Sequence, residues 1–315
     1  MLEINEVFKS IQGEGYSCGV PTVFVRLSGC SLSCPFCDSK YASRSLEDRE
    51  YKVYESANSI KEFAEIVTSL AYKGSRPVKL IVFTGGEPLL NKNLDVLIPL
   101  VIYLCNVKGF QVDFETTLVD NIEDIVSRKI TFMDRLEKIV ESFVTFDNKV
   151  SLGSGLYLPK SWDKTTSKVE LFNGDLVFSR ERQPYVGVFV ISPKFDLRSY
   201  QSKVTIDDIL TYYVNGFDNR PERLSLLIPI ARFKLLYNQE LESVIIEFIN
   251  RLKNFVPDRL VQELVQIMPL VDIDDYTDEK YKIACKQTAE FCIENSLSYS
   301  PRIHFDIWGY HKRKV

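Results

Sequence analysis

The sequence predicts an α/β protein, an incomplete (β/α) barrel with a mainly parallel sheet and an inserted segment. Strand-like and helix-like segments alternate along much of the chain, which is the pattern of a parallel sheet. One predicted strand, residues 78–86, is nearly all apolar, as expected where both faces of a sheet are covered. Only six or seven strands can be recognised, which is too few for a closed barrel of eight.

Each element follows from its own local pattern. The first predicted strand, residues 22–29, is rich in β-branched residues and ends at a glycine. Ser59 and Glu62 have the spacing of a capping box, and apolar residues then repeat with a helical period as far as Gly74. The later predicted strands are 78–86, 110–116, 186–194, 232–238, 264–270 and 302–309, and the later predicted helices are 93–105, 240–253 and 278–294.

The middle of the chain breaks the alternation. Residues 120–185 are polar, rich in turn residues and without clean helical periodicity, which predicts a β-rich insertion. We therefore divide the chain into residues 1–119, the N-terminal part of the core, residues 120–185, the insertion, and residues 186–315, the C-terminal part of the core.

Composition excludes several classes of protein. The 315 residues suffice for a substantial core, and 45% hydrophobic with 26% charged residues is ordinary for a globular protein. The net charge of −4 does not indicate nucleic-acid binding, and no apolar run approaches the roughly 20 residues that span a bilayer. Seven cysteines, an odd number, occur without a recognisable secretory signal. We expect a cytoplasmic protein with reduced thiols, without a membrane or direct nucleic-acid partner.

Three cysteines lie on one short loop after the first predicted strand. Cys30, Cys34 and Cys37 have the spacing C-x3-C-x2-C, and thiolates bind iron–sulfur clusters or zinc. An electron-transfer [4Fe–4S] cluster usually has four cysteine ligands, so three leave one iron open to a non-protein ligand. The alternatives are a zinc site completed by a fourth Cys or His, or unrelated buried thiols. The spacing differs from the paired C-x2-C of zinc ribbons, which favours the cluster.

A second motif, TGGEP at residues 84–88, lies at the carboxyl end of the apolar strand. Its glycine pair allows backbone to approach a ligand, and ligands of α/β folds bind at this end of the strands. Together the two motifs resemble the radical S-adenosylmethionine (SAM) superfamily, whose open iron binds SAM and whose GGEP segment binds its amino group. The resemblance implies that Gly85, Gly86 and Glu87 contact SAM.

Further segments resemble one family of that superfamily, the 7-carboxy-7-deazaguanine synthases (QueE). The resemblance covers residues 4–41 almost throughout and continues in islands at TGGEP, Glu115-Thr116, Ser192-Pro193-Lys194, Met268-Pro269, Pro301-Arg302-Ile303-His304 and Trp308-Gly309. It implies a radical SAM lyase that converts 6-carboxy-5,6,7,8-tetrahydropterin to 7-carboxy-7-deazaguanine with loss of ammonia, in queuosine-type biosynthesis. It also implies a [4Fe–4S] cluster, SAM and Mg2+ as cofactors, a flavodoxin-like or ferredoxin-like electron donor, and a homodimer.

The same resemblance assigns residues to the pterin substrate: Ile11, Gln12, Gly13, Glu14, Arg26, Thr84 and His304. The residue types are suitable. An amide and a carboxylate at a turn can bind an aminopyrimidinone edge, and an arginine suits a substrate carboxylate. The alternatives are a simple turn, a charge on a strand face and a hydrogen-bonded core histidine.

SAM is assigned by resemblance to Phe36, Cys37, Asp38, Gly85, Gly86, Glu87, Glu115, Ser192, Pro193, Lys194, Met268 and Pro269. Ser39 stands where the family has a threonine that ligates Mg2+, and its hydroxyl suits that metal. The chain departs from the family in having Thr117 and Leu118 where a small residue and a glycine are usual, and in its longer middle segment. Two alternative functions stay open: another radical SAM enzyme, such as a glycyl-radical activase or maturase, and a non-catalytic zinc-binding module.

Overall fold

The computed structural model describes residues 2–32, 34, 36–43, 52–54, 57–102, 104–105, 108–117, 156–157, 168–172, 175–179, 188–193, 230–254, 256–272 and 274–309. Its strands are β1 Leu2–Ile11, β2 Pro21–Leu27, β3 Lys52–Tyr54, β4 Leu80–Gly85, β5 Gln111–Thr116, β6 Leu156–Tyr157, β7 Lys168–Phe172, β8 Asp175–Ser179, β9 Val188–Ile191, β10 Ile230–Tyr237, β11 Val265–Pro269 and β12 Ser298–Tyr299. Its helices are α1 Lys40–Ser43, α2 Ala57–Tyr72, α3 Asn91–Ile102, α4 Glu242–Leu252, α5 Asp258–Leu264, α6 Asp278–Asn295 and α7 Ile303–Trp308, with a 3-10 turn at Gln239–Leu241.

One large sheet contains nine strands in the order β12-β11-β10-β9-β5-β4-β2-β1-β3. Every neighbouring pair from β12 to β2 is parallel. Only the last two pairs, β2 with β1 and β1 with β3, are antiparallel. The order has two ends, at β12 and β3, as an incomplete barrel does, so the predicted α/β fold with a mainly parallel sheet is confirmed.

The two faces of the sheet differ in chemistry. On one face Phe83, Phe114 and Phe233 are buried in the main apolar core, together with helix residues such as Leu97 and Phe248. Side chains two residues apart in a strand share a face, so the neighbours of these residues point to the opposite side. That side begins with a small apolar cluster, Phe24, Leu80 and Val82. It continues towards the carboxyl ends of the strands with Arg26, Thr84, Glu115 and Lys234. The helices therefore cover one face, and a polar group forms on the other.

One predicted strand is wrong. Residues 302–309 form the helix α7, and the last strand of the sheet is the two-residue β12 that precedes it. Ser300 N donates to Ile267 O, but Pro301 has no N–H to continue the ladder. The chain turns away there, and Ile303 N donates to Gly13 O instead. Strand propensity in this apolar stretch is overridden by tertiary contacts.

Other boundaries also differ from the sequence prediction. The helix α2 begins at Ala57, before Ser59, so Ser59 is inside the helix rather than its cap. The strands β1 and β3 and the helices α1 and α5 had no predicted counterpart. Three strands, in the order β6-β8-β7, form a small sheet within the predicted insertion, whose bounds at 120 and 185 lie outside the described residues. Among the described residues, no helix has the length and apolar character needed to cross a membrane.

Candidate functional site

The cysteine loop follows β2 and folds back on itself. Cys34 is buried, and Cys30 and Cys37 are half-buried. Cys37 N donates to Cys34 O at 3.2 Å, and Leu32 N donates to Cys30 Sγ at 3.4 Å. Burial raises the pKa of Cys30 to about 12, and the negative charges of Glu87, Cys34 and Cys37 act in the same direction. The three sulfurs thus lie near enough to influence one another electrostatically.

These residues fit the iron–sulfur cluster that the sequence predicts. Within the described residues, no group of three or more His, Cys, Asp and Glu side chains is arranged to hold a metal ion. A [4Fe–4S] cluster does not require its ligands to converge on one ion, because each thiolate binds a different iron of one cube. The donor set here is three soft sulfurs, which suits iron–sulfur chemistry. Bound iron would also keep the Cys30 thiol deprotonated against its raised pKa.

The TGGEP segment crosses the end of β2 in direct backbone contact. Gly86 N donates to Leu27 O at 3.0 Å, and Glu87 N donates to Gly29 O at 2.8 Å. A Cβ added to Gly86 would lie 1.9 Å from Gly29 O, and one added to Gly85, where φ is +124°, would lie 2.3 Å from Leu27 O. Both positions therefore require glycine, and the crossing fixes TGGEP against the start of the cysteine loop.

Ser39 makes a second link between the two motifs. Its side chain is buried, and Oγ donates to Gly85 O at 3.1 Å while lying 3.7 Å from Cys37 Sγ. A hydroxyl that donates one hydrogen bond keeps oxygen lone pairs for a cation. The hydroxyl predicted to ligate Mg2+ is therefore in place beside the cysteine loop.

The carboxylate of Glu87 is hydrogen-bonded mainly to residues at the end of β5. Its carboxylate accepts hydrogen bonds from Leu89 N at 2.9 Å, from Thr116 Oγ1, and from both N and Oγ1 of Thr117 at 2.8 Å. Burial raises the pKa of Glu87, and these donors oppose the rise. Thr117, which departs from the family pattern, is thus one of the residues that hold this carboxylate.

Glu14 is the centre of a buried charge cluster. Its Oε2 accepts from Lys234 Nζ at 2.7 Å, its Oε1 accepts from Arg302 Nε at 3.1 Å, and His304 Nε2 lies 3.7 Å from Oε1. Burial alone would raise the pKa of Glu14. The charges of Lys234 and Arg302 outweigh burial and lower that pKa well below its ordinary value. Glu14 is therefore a carboxylate at neutral pH, and it accepts hydrogen bonds only.

Glu115 joins the predicted substrate residues together. Gln12 Nε2 donates to its Oε1 at 3.0 Å, and Thr84 Oγ1 donates to its Oε2 at 3.3 Å. Lys234 Nζ lies 3.7 Å from Oε1. The resemblance assigns Glu115 to SAM, but in the structure its side chain contacts the residues predicted to bind the pterin.

The C-terminal segment closes over this cluster. Arg302 donates from Nη2 to Asp38 in the cysteine loop as well as from Nε to Glu14. His304 packs tightly against the turn that follows β1. A Cβ added to Gly13 in this turn would lie 2.3 Å from His304 Nδ1. Burial lowers the pKa of His304, so its imidazole is neutral at neutral pH. The segment thus connects the predicted pterin and SAM regions.

Arg26 lies on β2 beside this group. Its Nε donates to Glu6 Oε1 at 2.7 Å, and Tyr41 Oη donates to the same oxygen at 2.8 Å. Glu6 is buried and holds the guanidinium in one orientation. The terminal amino groups of Arg26 are then the ones that would meet a substrate carboxylate.

Four of the remaining predicted residues lie at the carboxyl ends of parallel strands. Ser192 and Pro193 follow β9 and are buried, and Ser192 N donates to Thr116 O at 2.8 Å. Met268 and Pro269 end β11 and are buried. Ile11 ends β1 and Phe36 lies in the cysteine loop, both half-buried, whereas Lys194 lies outside the described residues.

Sequence reasoning missed three charged residues of this site: Glu6, Lys234 and Arg302. A signal for one of them was present. Lys234 is flanked by Phe233 and Leu235 in a predicted strand, and a charge in such a strand needs a partner. Its partners come from other parts of the chain, so the sequence did not identify them.

Comparison with known proteins agrees with this geometry. The model of the Radical SAM superfamily matches residues 24–144, which include the cysteine loop and TGGEP. This part of the chain is therefore similar to the radical SAM superfamily. Its curated relatives carry the name 7-carboxy-7-deazaguanine synthase, so the resemblance to that family is confirmed.

Three relatives illustrate the extent of the similarity. The synthase of Escherichia coli (strain K12) is 36% identical over 121 residues, which are 36% of this chain and 52% of the relative. That of Aquifex aeolicus (strain VF5) is 37% identical over 116 residues, 37% of this chain and 45% of the relative. That of Hyperthermus butylicus is 47% identical over 94 residues, 30% and 34% of the two chains. The match thus spans about half the length of these relatives or less.

A solved structure extends the likeness in fold to nearly the whole chain. The crystal structure of QueE from Escherichia coli superposes with a TM-score of 0.51 at 20% sequence identity, covering 96% of this chain and 94% of that chain. The fold is therefore the one that the radical SAM resemblance implies. Neither the zinc-binding module nor the activase gains support from these comparisons.

Proposed function

We propose that this protein is a radical SAM lyase that converts 6-carboxy-5,6,7,8-tetrahydropterin to 7-carboxy-7-deazaguanine with loss of ammonia. One observation carries the proposal. Gln12, Glu14, Thr84 and His304, which resemblance assigns to the pterin, come from three separate parts of the sequence and meet in one group around Glu14 and Glu115. That group is joined to the cysteine loop through Arg302 and Asp38.

Substrate recognition is assigned to the charged groups of this cluster. Glu14, kept ionised by its cationic neighbours, accepts N–H donors of the aminopyrimidinone ring. Glu14 N donates to Gln12 Oε1 at 3.3 Å, which fixes the amide so that it can bind the same edge. Arg26, oriented by Glu6, binds the carboxylate of the pterin. The neutral His304 completes the pocket as a hydrogen-bonding group without a charge.

Cofactor binding is assigned to the two motifs and to the ends of the strands. Cys30, Cys34 and Cys37 hold the [4Fe–4S] cluster, and Ser39 contributes a ligand to Mg2+. The residues assigned to SAM are Phe36, Cys37, Asp38, Gly85, Gly86, Glu87, Ser192, Pro193, Lys194, Met268 and Pro269, with Glu115 between SAM and substrate. When bound and reduced, the cluster and SAM supply a 5′-deoxyadenosyl radical.

The chain's own contribution is orientation within a buried pocket. Glu14, Gln12 and Thr84 are all buried, so their hydrogen bonds to substrate would form without competition from bulk water. Contacts at both ends of the pterin, from Glu14 at one and Arg26 at the other, would hold one C–H bond towards the radical.

Several wider assignments belong to this proposal. We assign the protein to the cytoplasm, to a homodimer and to an external flavodoxin-like or ferredoxin-like electron donor. Residues 1–119 and 186–315 are assigned to the two parts of the core, and residues 120–185 to an insertion. These assignments rest on the resemblance and on the reduced-thiol composition.

An anaerobic turnover assay tests the proposal. Reconstituted protein is incubated with the carboxypterin, SAM, Mg2+ and a reductant, and mass spectrometry detects 7-carboxy-7-deazaguanine. We expect product without any added protein partner, which separates this activity from that of an activase. Cys34→Ser should lose iron and product, whereas Cys18→Ser, outside the cysteine loop, should keep about four irons per chain. Fully loaded protein that forms no product would refute the proposal.

A further inference from the structure

Lys234 is the most deeply buried ammonium group in the described part of the site. It is 5% exposed and lies on β10 between Phe233 and Leu235, which point into the main core on the other face. A lysine charge so far from water needs compensation by carboxylates. Its compensation comes from two acids, Glu14 at 2.7 Å and Glu115 at 3.7 Å.

The two acids belong to distant parts of the chain but lie side by side among the residues predicted to bind the pterin. Glu14 lies in the turn after β1, and Glu115 lies near the end of β5. Because both oxygens contact one ammonium group, the two carboxylates are near neighbours and would repel each other without it. Glu115 also holds the Gln12 amide and the Thr84 hydroxyl.

We propose that Lys234 is a positioning residue that keeps Glu14 and Glu115 side by side as charged carboxylates, in the geometry that binds the pterin. The inference rests on the proposed function and adds to it a residue and a role. Lys234 acts through the two acids, since these are the groups that contact Gln12, Thr84 and the predicted substrate region.

The electrostatic surroundings of Glu14 give the proposal a measurable consequence. The titratable and charged groups that face this cluster are Lys234 from β10, Arg302 and His304 from the C-terminal segment, Cys18 from the same turn and Glu115 from β5. Without Lys234, Oε2 of Glu14 loses its cation, and the remaining arginine is shared with Asp38. The pKa of Glu14 should then rise, because one of the two cations that oppose burial is lost.

The test measures binding rather than turnover. Reconstituted protein loaded with SAM, without reductant, is titrated with the carboxypterin from neutral pH down to about pH 5. In wild type Glu14 stays ionised across this range, and any change in affinity from His304 is shared by wild type and variants, so each variant is compared with wild type at the same pH. In Lys234→Met the affinity at neutral pH should fall on the order of tenfold, and it should fall further as the pH drops and Glu14 becomes protonated.

Three further variants separate positioning from simple packing. Lys234→Arg retains the charge and should keep the wild-type pH profile. Lys234→Met/Glu115→Gln removes the repulsion along with the ammonium, so it should bind the pterin more tightly than Lys234→Met alone. Arg232→Met is the matched control. Arg232 lies two residues earlier on the same face of β10 and interacts with Asp113 and the ring of Tyr16, so its loss should not shift the pH profile.

Each outcome decides the inference. A pH shift in Lys234→Met together with recovery in the double variant supports it. Weaker binding with neither the shift nor the recovery means that Lys234 only fills space, and overturns it. Should Lys234→Met fail to fold, a double variant that also fails to fold overturns the inference, and one that folds and binds supports it. Wild type is measured first. If wild type does not bind the carboxypterin, the proposed function is refuted as well. If wild type binds and Lys234→Met has the same pH profile, only the role of Lys234 is refuted.

Discussion

Gly86→Ala is expected to disrupt the site through the backbone crossing between TGGEP and the cysteine loop. The added Cβ would lie 1.9 Å from Gly29 O and 2.5 Å from Gly29 C. Both are backbone atoms, so no change of rotamer can relieve the contact. One of the two segments must move, and Gly29 directly precedes the first cysteine of the loop.

The expected loss in the free energy of unfolding follows from the contacts between the two segments. Two hydrogen bonds join the segments, from Gly86 N to Leu27 O and from Glu87 N to Gly29 O. Each contributes about 1 kcal/mol net. Overpacking of a well-packed site costs a further 1–3 kcal/mol or so, giving an expected loss of about 3–5 kcal/mol in the free energy of unfolding.

The assay combines stability with iron content. Chemical denaturation of the apo protein gives the free energy of unfolding, and iron analysis after reconstitution gives the occupancy of the cysteine loop. Gly109→Ala is the control, because Gly109 has a φ of +71° but nothing within 4 Å of an added Cβ. That variant should lose about 1 kcal/mol from backbone strain alone. If Gly86→Ala loses no more than Gly109→Ala and binds iron fully, the crossing does not position the loop.

Three other substitutions test separate parts of the site. Glu14→Gln should cost about 3–5 kcal/mol at neutral pH, because it leaves buried cations without their carboxylate. The pKa of Glu14 in the folded state lies below its ordinary value of 4.5, so this loss is complete above that value, and denaturation at several pH values should show it shrinking as the pH falls further. Thr116→Val removes a hydroxyl donor to the Glu87 carboxylate and should cost about 1.5–3 kcal/mol, measured by denaturation, with weaker SAM binding. Arg26→Lys loses the planar guanidinium and should weaken carboxypterin binding on the order of tenfold in a titration, but not the binding of a tetrahydropterin without the carboxylate.

The parallel strands and the two motifs were predictable because their signals are local. An apolar run such as that of β4 and the three-cysteine spacing require no knowledge of the fold. The strand β1 was missed for a local reason too. Its alternation is interrupted at Asn5 and Glu6, and its register with β2 shifts between Ile4 and Glu6, as in a β-bulge. A strand with a bulge does not show the strict period of two on which the prediction depends.

The charge cluster was less predictable because its contacts are long-range. Lys234 and Glu14 are 220 positions apart in sequence, and Arg302 and Glu14 are 288 apart. Only the fold determines which of several buried charges meet. The resemblance grouped Glu14 with Gln12 and His304, and the structure brings these three residues together, but the resemblance gave no role to either cation.

The geometry of β5 explains why the resemblance alone did not separate the residues predicted to bind the pterin from those predicted to bind SAM. Successive residues of a strand point to opposite faces, and Glu115 and Thr116 follow this rule. Glu115 meets Gln12 and Thr84, whereas Thr116 donates to Glu87 of TGGEP. The resemblance covers the pair Glu115-Thr116 and assigns only Glu115 to SAM. The hydrogen bonds separate the two residues: Glu115 contacts the predicted pterin residues, and Thr116 contacts TGGEP. The end of β5 therefore sets the distance between these two groups of residues.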